Sequence, residues 1–126
     1  MRHQIITPSF ERTDERGIFI EVLSTGRWEA LIWGRMKPNA VIGNHYHKKT
    51  LIFFFLTKGV AKVITVHVET GERDQFVLKA SQGVILKTNE SHVIRFFEDS
   101  EFIMLKSIRY DPGDPDTFSY PVEESA

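Results

Sequence analysis

An all-β sandwich or small barrel is what this sequence predicts, on three observations. Short runs of β-branched, aromatic and aliphatic residues recur along the chain. Clusters of Gly, Asn, Asp and Pro separate them at regular spacing and supply the positive φ angles and preset bends that tight turns need. No stretch carries a sustained helical period. At 126 residues the chain is long enough for one buried core and too short for two, so a single domain is expected over 1–126.

The strands follow in order. His3–Ile6 is expected first, then, after the turn Asp14-Glu15-Arg16-Gly17, Ile18–Leu23. Ala30–Met36 ends at Lys37-Pro38-Asn39, Leu51–Thr57 at Lys58-Gly59, and Ala61–Val68 at Thr70-Gly71-Glu72-Arg73-Asp74. Gln75–Leu78 and Gly83–Leu86 are short; Lys87-Thr88-Asn89-Glu90-Ser91 leads into His92–Phe97, and Glu98-Asp99-Ser100 into Glu101–Arg109. The fifth of these alternates as a half-buried strand should, with Val63, Thr65, His67 and Glu69 on one face and Lys62, Ile64, Val66 and Val68 on the other. Leu51-Ile52-Phe53-Phe54-Phe55-Leu56 does not alternate, so both its faces are expected to be covered, one by the core and the other by a second sheet or a second subunit. Residues 112–126 hold three of the five prolines (Pro112, Pro115 and Pro121) and are expected to run extended over the surface and then fray.

Composition narrows the function. A net charge of −1, with no basic block longer than Lys48-Lys49, gives no electrostatic case for nucleic acid or an anionic membrane. Without cysteine there is no disulfide, thiolate nucleophile or Cys-type zinc site. The N-terminus lacks the apolar core of a secretory signal, and the run Leu51–Leu56 is far short of a bilayer span. A soluble cytoplasmic protein is expected.

His45 and His47 are one residue apart. On an extended strand both imidazoles point to the same face, which suits two bonds to one metal, or one base beside a second polar contact. Ordinary surface histidines in a loop are the plainer alternative. His3, in the first strand, and His67, on a solvated face, are given no role. Trp28 and Trp33 are read as core or interface.

The order His45-x-His47, apolar strand, Gly59, then Gly83 and His92 resembles the cupin superfamily, whose fold is a double-stranded β-helix, a jelly-roll-like barrel. In that family the first motif supplies H-x-H, a glutamate and a closing glycine, and the second a third histidine. Here Gly83 and His92 match the second motif, while Thr88, Glu90 and Phe96 replace its proline, inner glycine and asparagine. The glutamate position, counted back from Gly59, holds Ile52. The resemblance therefore implies His45, His47 and His92 as metal ligands without the carboxylate, holding zinc or nickel rather than iron, or no metal at all.

Narrower resemblances concern substrate. Asp14-Glu15-Arg16-Gly17-Ile18-Phe19-Ile20-Glu21 resembles the opening shared by dTDP-4-keto-sugar 3,5-epimerases and by the C-terminal cupin domain of capsular-polysaccharide UDP-sugar epimerase-reductases. Gly43-Asn44-His45-Tyr46-His47, Gly59, Pro115-Asp116-Thr117-Phe118 and Pro121-Val122 are similar to the second group over nearly the whole chain. Glu101–Tyr110 is closer to the first, whose matching segment carries a tyrosine acid, and His45-Tyr46-His47-Lys48-Lys49 is similar to the 3,4-ketoisomerases of dTDP-sugars. These resemblances imply an epimerase or isomerase of a 4-keto-sugar nucleotide in surface-polysaccharide biosynthesis. His45 would be the base, Tyr110 the acid, and Arg35, Tyr46, Lys48 and Lys49 substrate contacts, in a homodimer joined through its N-terminal strands. Two alternatives stand beside this reading: a metal-dependent oxygenase or decarboxylase on the three histidines, and a sugar-binding cupin without catalysis.

Overall fold

The computed structural model describes residues 2–122 and 124, and their regular structure is entirely β. The strands are β1 (Phe10–Asp14), β2 (Gly17–Glu21), β3 (Ala30–Met36), β4 (Val41–Tyr46), β5 (Ile52–Lys58), β6 (Val60–His67), β7 (Arg73–Lys79), β8 (Gln82–Leu86), β9 (Glu90–Phe96), β10 (Ser100–Lys106) and β11 (Phe118–Ser119). β1 and β2 form a hairpin; one antiparallel sheet runs β3-β10-β5-β8 and a second runs β11-β4-β9-β6-β7.

The core lies between the two larger sheets. Ile52, Phe54 and Leu56 of β5, Val84 and Leu86 of β8 and Phe102 of β10 meet Ala61 and Val63 of β6, Phe76 and Leu78 of β7, and Ile94 and Phe96 of β9 in one cluster. Register produces this directly. Ile52, Phe54 and Leu56 stand opposite Leu86, Val84 and Gln82 on one side and Lys106, Met104 and Phe102 on the other, so the inward rows of β5, β8 and β10 align. Each fully buried aliphatic or aromatic side chain here contributes about 1.5–3 kcal/mol of apolar transfer.

Several expectations change. His3–Ile6 is not a strand; it makes one bridge, Ile6 to Gly83. The second expected strand covers Gly17–Glu21 and pairs with β1, which alternation alone did not indicate. β4 and β11 are likewise additional. The run Ile52–Leu56 is covered on both faces within the one chain: Phe53 and Phe55 are 0% and 2% exposed, and Phe53 lies beside Trp28 with ring centroids 6.5 Å apart. A second subunit is therefore not needed to explain it. β6 is buried on both faces, because Ile64 joins Val93 and Val122 in a smaller cluster behind the sheet. The C-terminal segment supplies that cover: β11 pairs with β4, Val122 is buried, and Glu124 pairs with Arg95. It does not fray before Val122; residues 123, 125 and 126 lie outside the described residues. Phe10, Ile18, Phe19, Leu31 and Trp33, on β1 to β3, are exposed.

His3 is buried at the opposite edge of this sheet. Its Nδ1 lies 2.6 Å from Asp74 Oδ2 and its Nε2 2.7 Å from Glu90 Oε1. Both ring nitrogens face carboxylates, so both donate and the ring is an imidazolium.

Candidate active site

A β-bulge aims the histidines. Ile42 faces the core opposite Ile94, and strict alternation would send His45 outward. In the β4–β9 ladder, however, Gly43 pairs with Val93 and the next pair is His45 with His92, leaving Asn44 as the extra residue. The insertion turns His45 inward beside His92, and His47 follows by alternation. Gly43 (φ 109) and Asn44 (φ 60) take the left-handed backbone this requires. A Cβ on Gly43 would stand 2.4 Å from the His92 carbonyl oxygen, so only glycine fits. The tail locks the bulge, since Asn44 accepts hydrogen bonds from Tyr120 N–H at its carbonyl and from Val122 N–H at its side chain, each 2.9 Å.

The three imidazoles converge: one nitrogen from each of His45, His47 and His92 lies within 4.8 Å of the others. His47 donates Nδ1–H to the Asp116 carbonyl; a carbonyl only accepts, so that tautomer leaves Nε2 bare. Nε2 is buried and has no partner. Burial lowers the pKa of all three rings. His45 is held below the usual histidine value by burial, then by His47 and Lys106, and His47 by burial, against the pull of the Asp116 carbonyl. His92 is pushed down to about 3 by burial and then by its two neighbours. Each shift favours the neutral ring, so at neutral pH the cluster is uncharged. His47 and His92 are 5% and 3% exposed, whereas His45 is only half-buried, so His45 is the ring that solvent or substrate reaches.

The site opens in two steps. An inner cavity of about 210 Å³ is lined by the three histidines with Ile32, Ile42, Gly43, Ile52, Ile94, Met104, Lys106 and Thr117. An outer cavity of about 160 Å³ shares His47, Lys106 and Thr117 and adds Lys49, Thr50, Ile108, Arg109, Tyr110, Asp111, Asp114 and Asp116.

The expected site residues separate accordingly. Tyr110, 63% exposed, lines the outer cavity with Lys49. Tyr46 alternates away from the histidines and packs on Phe118 and Tyr120. Lys48 lays its ammonium 4.2 Å from the centre of the Phe118 ring. Arg35 is elsewhere, over Trp33 and beside Glu101 on β3, in a separate depression with Lys58 and Asp99. Three residues at the site, Lys106, Asp116 and Thr65, were assigned no role from the sequence. Asp116 accepts from the backbone N–H groups of Lys48, Lys49 and Thr50 at 2.8 Å each and from the Thr50 hydroxyl. Thr65, across the ladder from His92, keeps a buried hydroxyl without a partner.

The donor set fits a borderline divalent ion. Three neutral imidazoles, one with a bare buried nitrogen and a carbonyl on its other side, form the set that holds zinc with an open position. His45, His47 and His92 would hold it, and it would supply a Lewis acid for a substrate oxygen. No carboxylate lines the inner cavity among the described residues, which disfavours hard ions that prefer oxygen donors.

Solved structures share this architecture. The capsular polysaccharide assembling protein CapF from Staphylococcus aureus superposes with a TM-score of 0.71 at 25% identity, over 90% of this chain and 34% of CapF, so the chain spans about a third of that protein's length. A dTDP-4-dehydrorhamnose 3,5-epimerase from Sulfolobus tokodaii gives 0.75 at 20% identity, covering 90% of this chain and 80% of the other. A 3,4-ketoisomerase from Helicobacter canadensis gives 0.75 at 16%, covering 94% and 90%. The fold is thus the cupin jelly roll. No helix of the described residues is long and apolar enough to cross a membrane. No curated relative matches. The sequence profile of the polysaccharide biosynthesis C-terminal domain matches residues 12–118, nearly the whole of β1 to β11 with the bulge and all three histidines inside it, and the chain belongs to that family.

Proposed function

We propose that this domain epimerises or isomerises a 4-keto-sugar nucleotide in surface-polysaccharide biosynthesis, by proton transfer at the carbon beside the ketone. One observation carries the reading: three uncharged imidazoles meet at the mouth of an apolar cavity, and the accessible one, His45, is held in its basic form by burial. A ketone acidifies the adjacent C–H, and a neutral histidine is a competent base for it at neutral pH. Tyr110 is the acid in this reading, with Lys49 and Arg109 beside it to meet the diphosphate. The names of CapF and of the two sugar-modifying cupins agree with the substrate class. A homodimer through β1 to β3 belongs to the same proposal, supported by the exposed Ile18, Phe19, Leu31 and Trp33; light scattering on the purified protein tests it.

The bare Nε2 of His47 favours a second reading, in which a divalent ion on the three histidines carries metal-dependent chemistry.

Solvent deuterium wash-in next to the keto group of a 4-keto nucleotide sugar tests the first reading. Wild type is expected to exchange, His45→Ala to lose exchange, and Tyr110→Phe to lose turnover while retaining exchange. Exchange undiminished in His45→Ala refutes the base assignment. A wild type that binds the nucleotide sugar without exchanging leaves a sugar-binding domain.

A further inference from the structure

Phe102, Met104 and Lys106 occupy the inward positions of β10, opposite Leu56, Phe54 and Ile52 of β5. The first two belong to the core. The third is a lysine, and it closes its row at the same mouth where the pair His45 and His92 closes the row of the facing sheet. Lys106 lines both the inner and the outer cavity. Among the described residues it is the only Lys, Arg, Asp or Glu that lines the inner one.

The charge there is unbalanced. Its neighbours are three uncharged imidazoles, and its ammonium is near enough to be felt by both His45 and His47. None of the three carboxylates of the outer cavity pairs with Lys106: Asp116 accepts from the backbone of Lys48, Lys49 and Thr50, Asp114 lies 3.8 Å from Lys49, and the exposed Asp111 accepts from Gly113 N–H. A half-buried lysine with no carboxylate partner among the described residues, at the end of an apolar cavity, is a place for an anion supplied by the ligand.

We propose that Lys106 is a catalytic residue of this pocket and holds the oxygen on which the ligand's negative charge develops. The proposal deepens the epimerase reading, which it needs only to name that oxygen as the enolate oxygen of the 4-keto sugar. When His45 removes the proton, the C–H bond breaks and its electron pair forms the enolate C=C. The carbonyl π pair then moves onto oxygen, where a Lys106 N–H donates to it in a low-dielectric site. Lys106 keeps its proton throughout; the charge is discharged when the carbon is reprotonated and the C=O reforms.

Two measurements test this, and the first does not depend on the sugar. Oxalate, a planar dianion whose paired oxygens mimic an enediolate, is titrated into EDTA-treated protein while the histidine Cε1–H resonances are followed by NMR. Wild type is expected to bind saturably, Lys106→Met to bind at least about tenfold more weakly, and Lys106→Arg to recover most of the loss. Methionine keeps the apolar stem that packs at the mouth, so the Met variant should fold. The second measurement is deuterium wash-in, where Lys106→Met is expected to lower kcat about 100-fold with little change in KM, and Lys106→Arg to restore part of it. Equal oxalate affinity in Lys106→Met, a wild type that ignores oxalate, or unchanged exchange in the variant overturns the proposal. Lys106-dependent oxalate binding in a protein that exchanges deuterium with no 4-keto nucleotide sugar supports the anion site and overturns the epimerase reading instead.

Discussion

His45 stands directly across the β4–β9 ladder from His92, and it does so because Asn44 is one residue too many for the register. The convergence of the histidines therefore depends on a backbone feature immediately upstream of the first imidazole.

Gly43→Ala tests that dependence. The added methyl would lie 2.4 Å from the His92 carbonyl oxygen and 3.1 Å from its carbon, and the φ of 109° is hostile to any L residue. The backbone must move to relieve both. The variant is expected to lose on the order of 3 kcal/mol in chemical denaturation and to lose the interaction among the histidine resonances. A variant as stable as wild type would show that the bulge is not a fixed feature.

The same bulge explains much of what the sequence concealed. β5 was legible because a strand buried on both faces needs no register to be recognised. The convergence of His45, His47 and His92 was legible through the spacing of the motifs they resemble. β4 was not, since Gly43-Asn44 breaks the alternation that marks a strand. β11 has only two residues among prolines, so nothing local announces it. Lys106 and Asp116 are legible only in three dimensions. The first is distinguished by the register that sets it opposite Ile52, and the second by hydrogen bonds to residues 66 to 68 positions away. His3 read as an unremarkable strand residue for the same reason: its partners Asp74 and Glu90 are 71 and 87 positions off.

Two buried histidines give stability opposite slopes with pH. His92 is depressed to about 3, chiefly by burial. The unfolded chain takes up that proton near 6.5, so this contribution is complete above about 6.5 and is lost as pH falls toward 3. His3 is raised, because its bonds to Glu90 and Asp74 outweigh the effect of burial. Its contribution is complete below about 6.5 and is lost as pH rises through its folded value. Melting curves of EDTA-treated protein across pH should show an acid decline that flattens in His92→Gln and an alkaline decline that flattens in His3→Gln. Identical slopes in wild type and variant would mean that the residue is not the titrating group.

Asp116 joins the C-terminal segment to the loop that carries His47. Its carboxylate caps the backbone of residues 48–50, and its carbonyl fixes the His47 tautomer. Burial would raise its pKa, but the N–H donors of Lys48, Lys49 and Thr50 and the Thr50 hydroxyl hold it below the usual carboxylate value. Asp116→Ala is expected to cost about 1–3 kcal/mol and to expose the tail to limited proteolysis near Asp111–Asp114. The His47 ring should then show both tautomers by nitrogen NMR. Asp116→Asn keeps one acceptor oxygen and should fall between. A tail that remains protected in Asp116→Ala would show that β11 and Val122 hold it without this anchor.

Ile52 and Lys106 decide how the pocket treats cations. Wild type offers three nitrogen donors with an ammonium in the same cavity, so one zinc per chain is expected to bind reversibly and to be lost in His47→Ala. Ile52→Glu places a carboxylate at the inward position across from Lys106. Without metal, a carboxylate at a site 3% exposed costs several kcal/mol, partly offset by the ammonium opposite. With zinc it supplies the missing anionic ligand, and affinity should rise at least about tenfold. Competition against a chromogenic chelator measures both constants, and thermal melts with and without zinc show whether the metal restores the lost stability. Equal zinc affinity in wild type and Ile52→Glu would place the ion away from β5 and require a different ligand set.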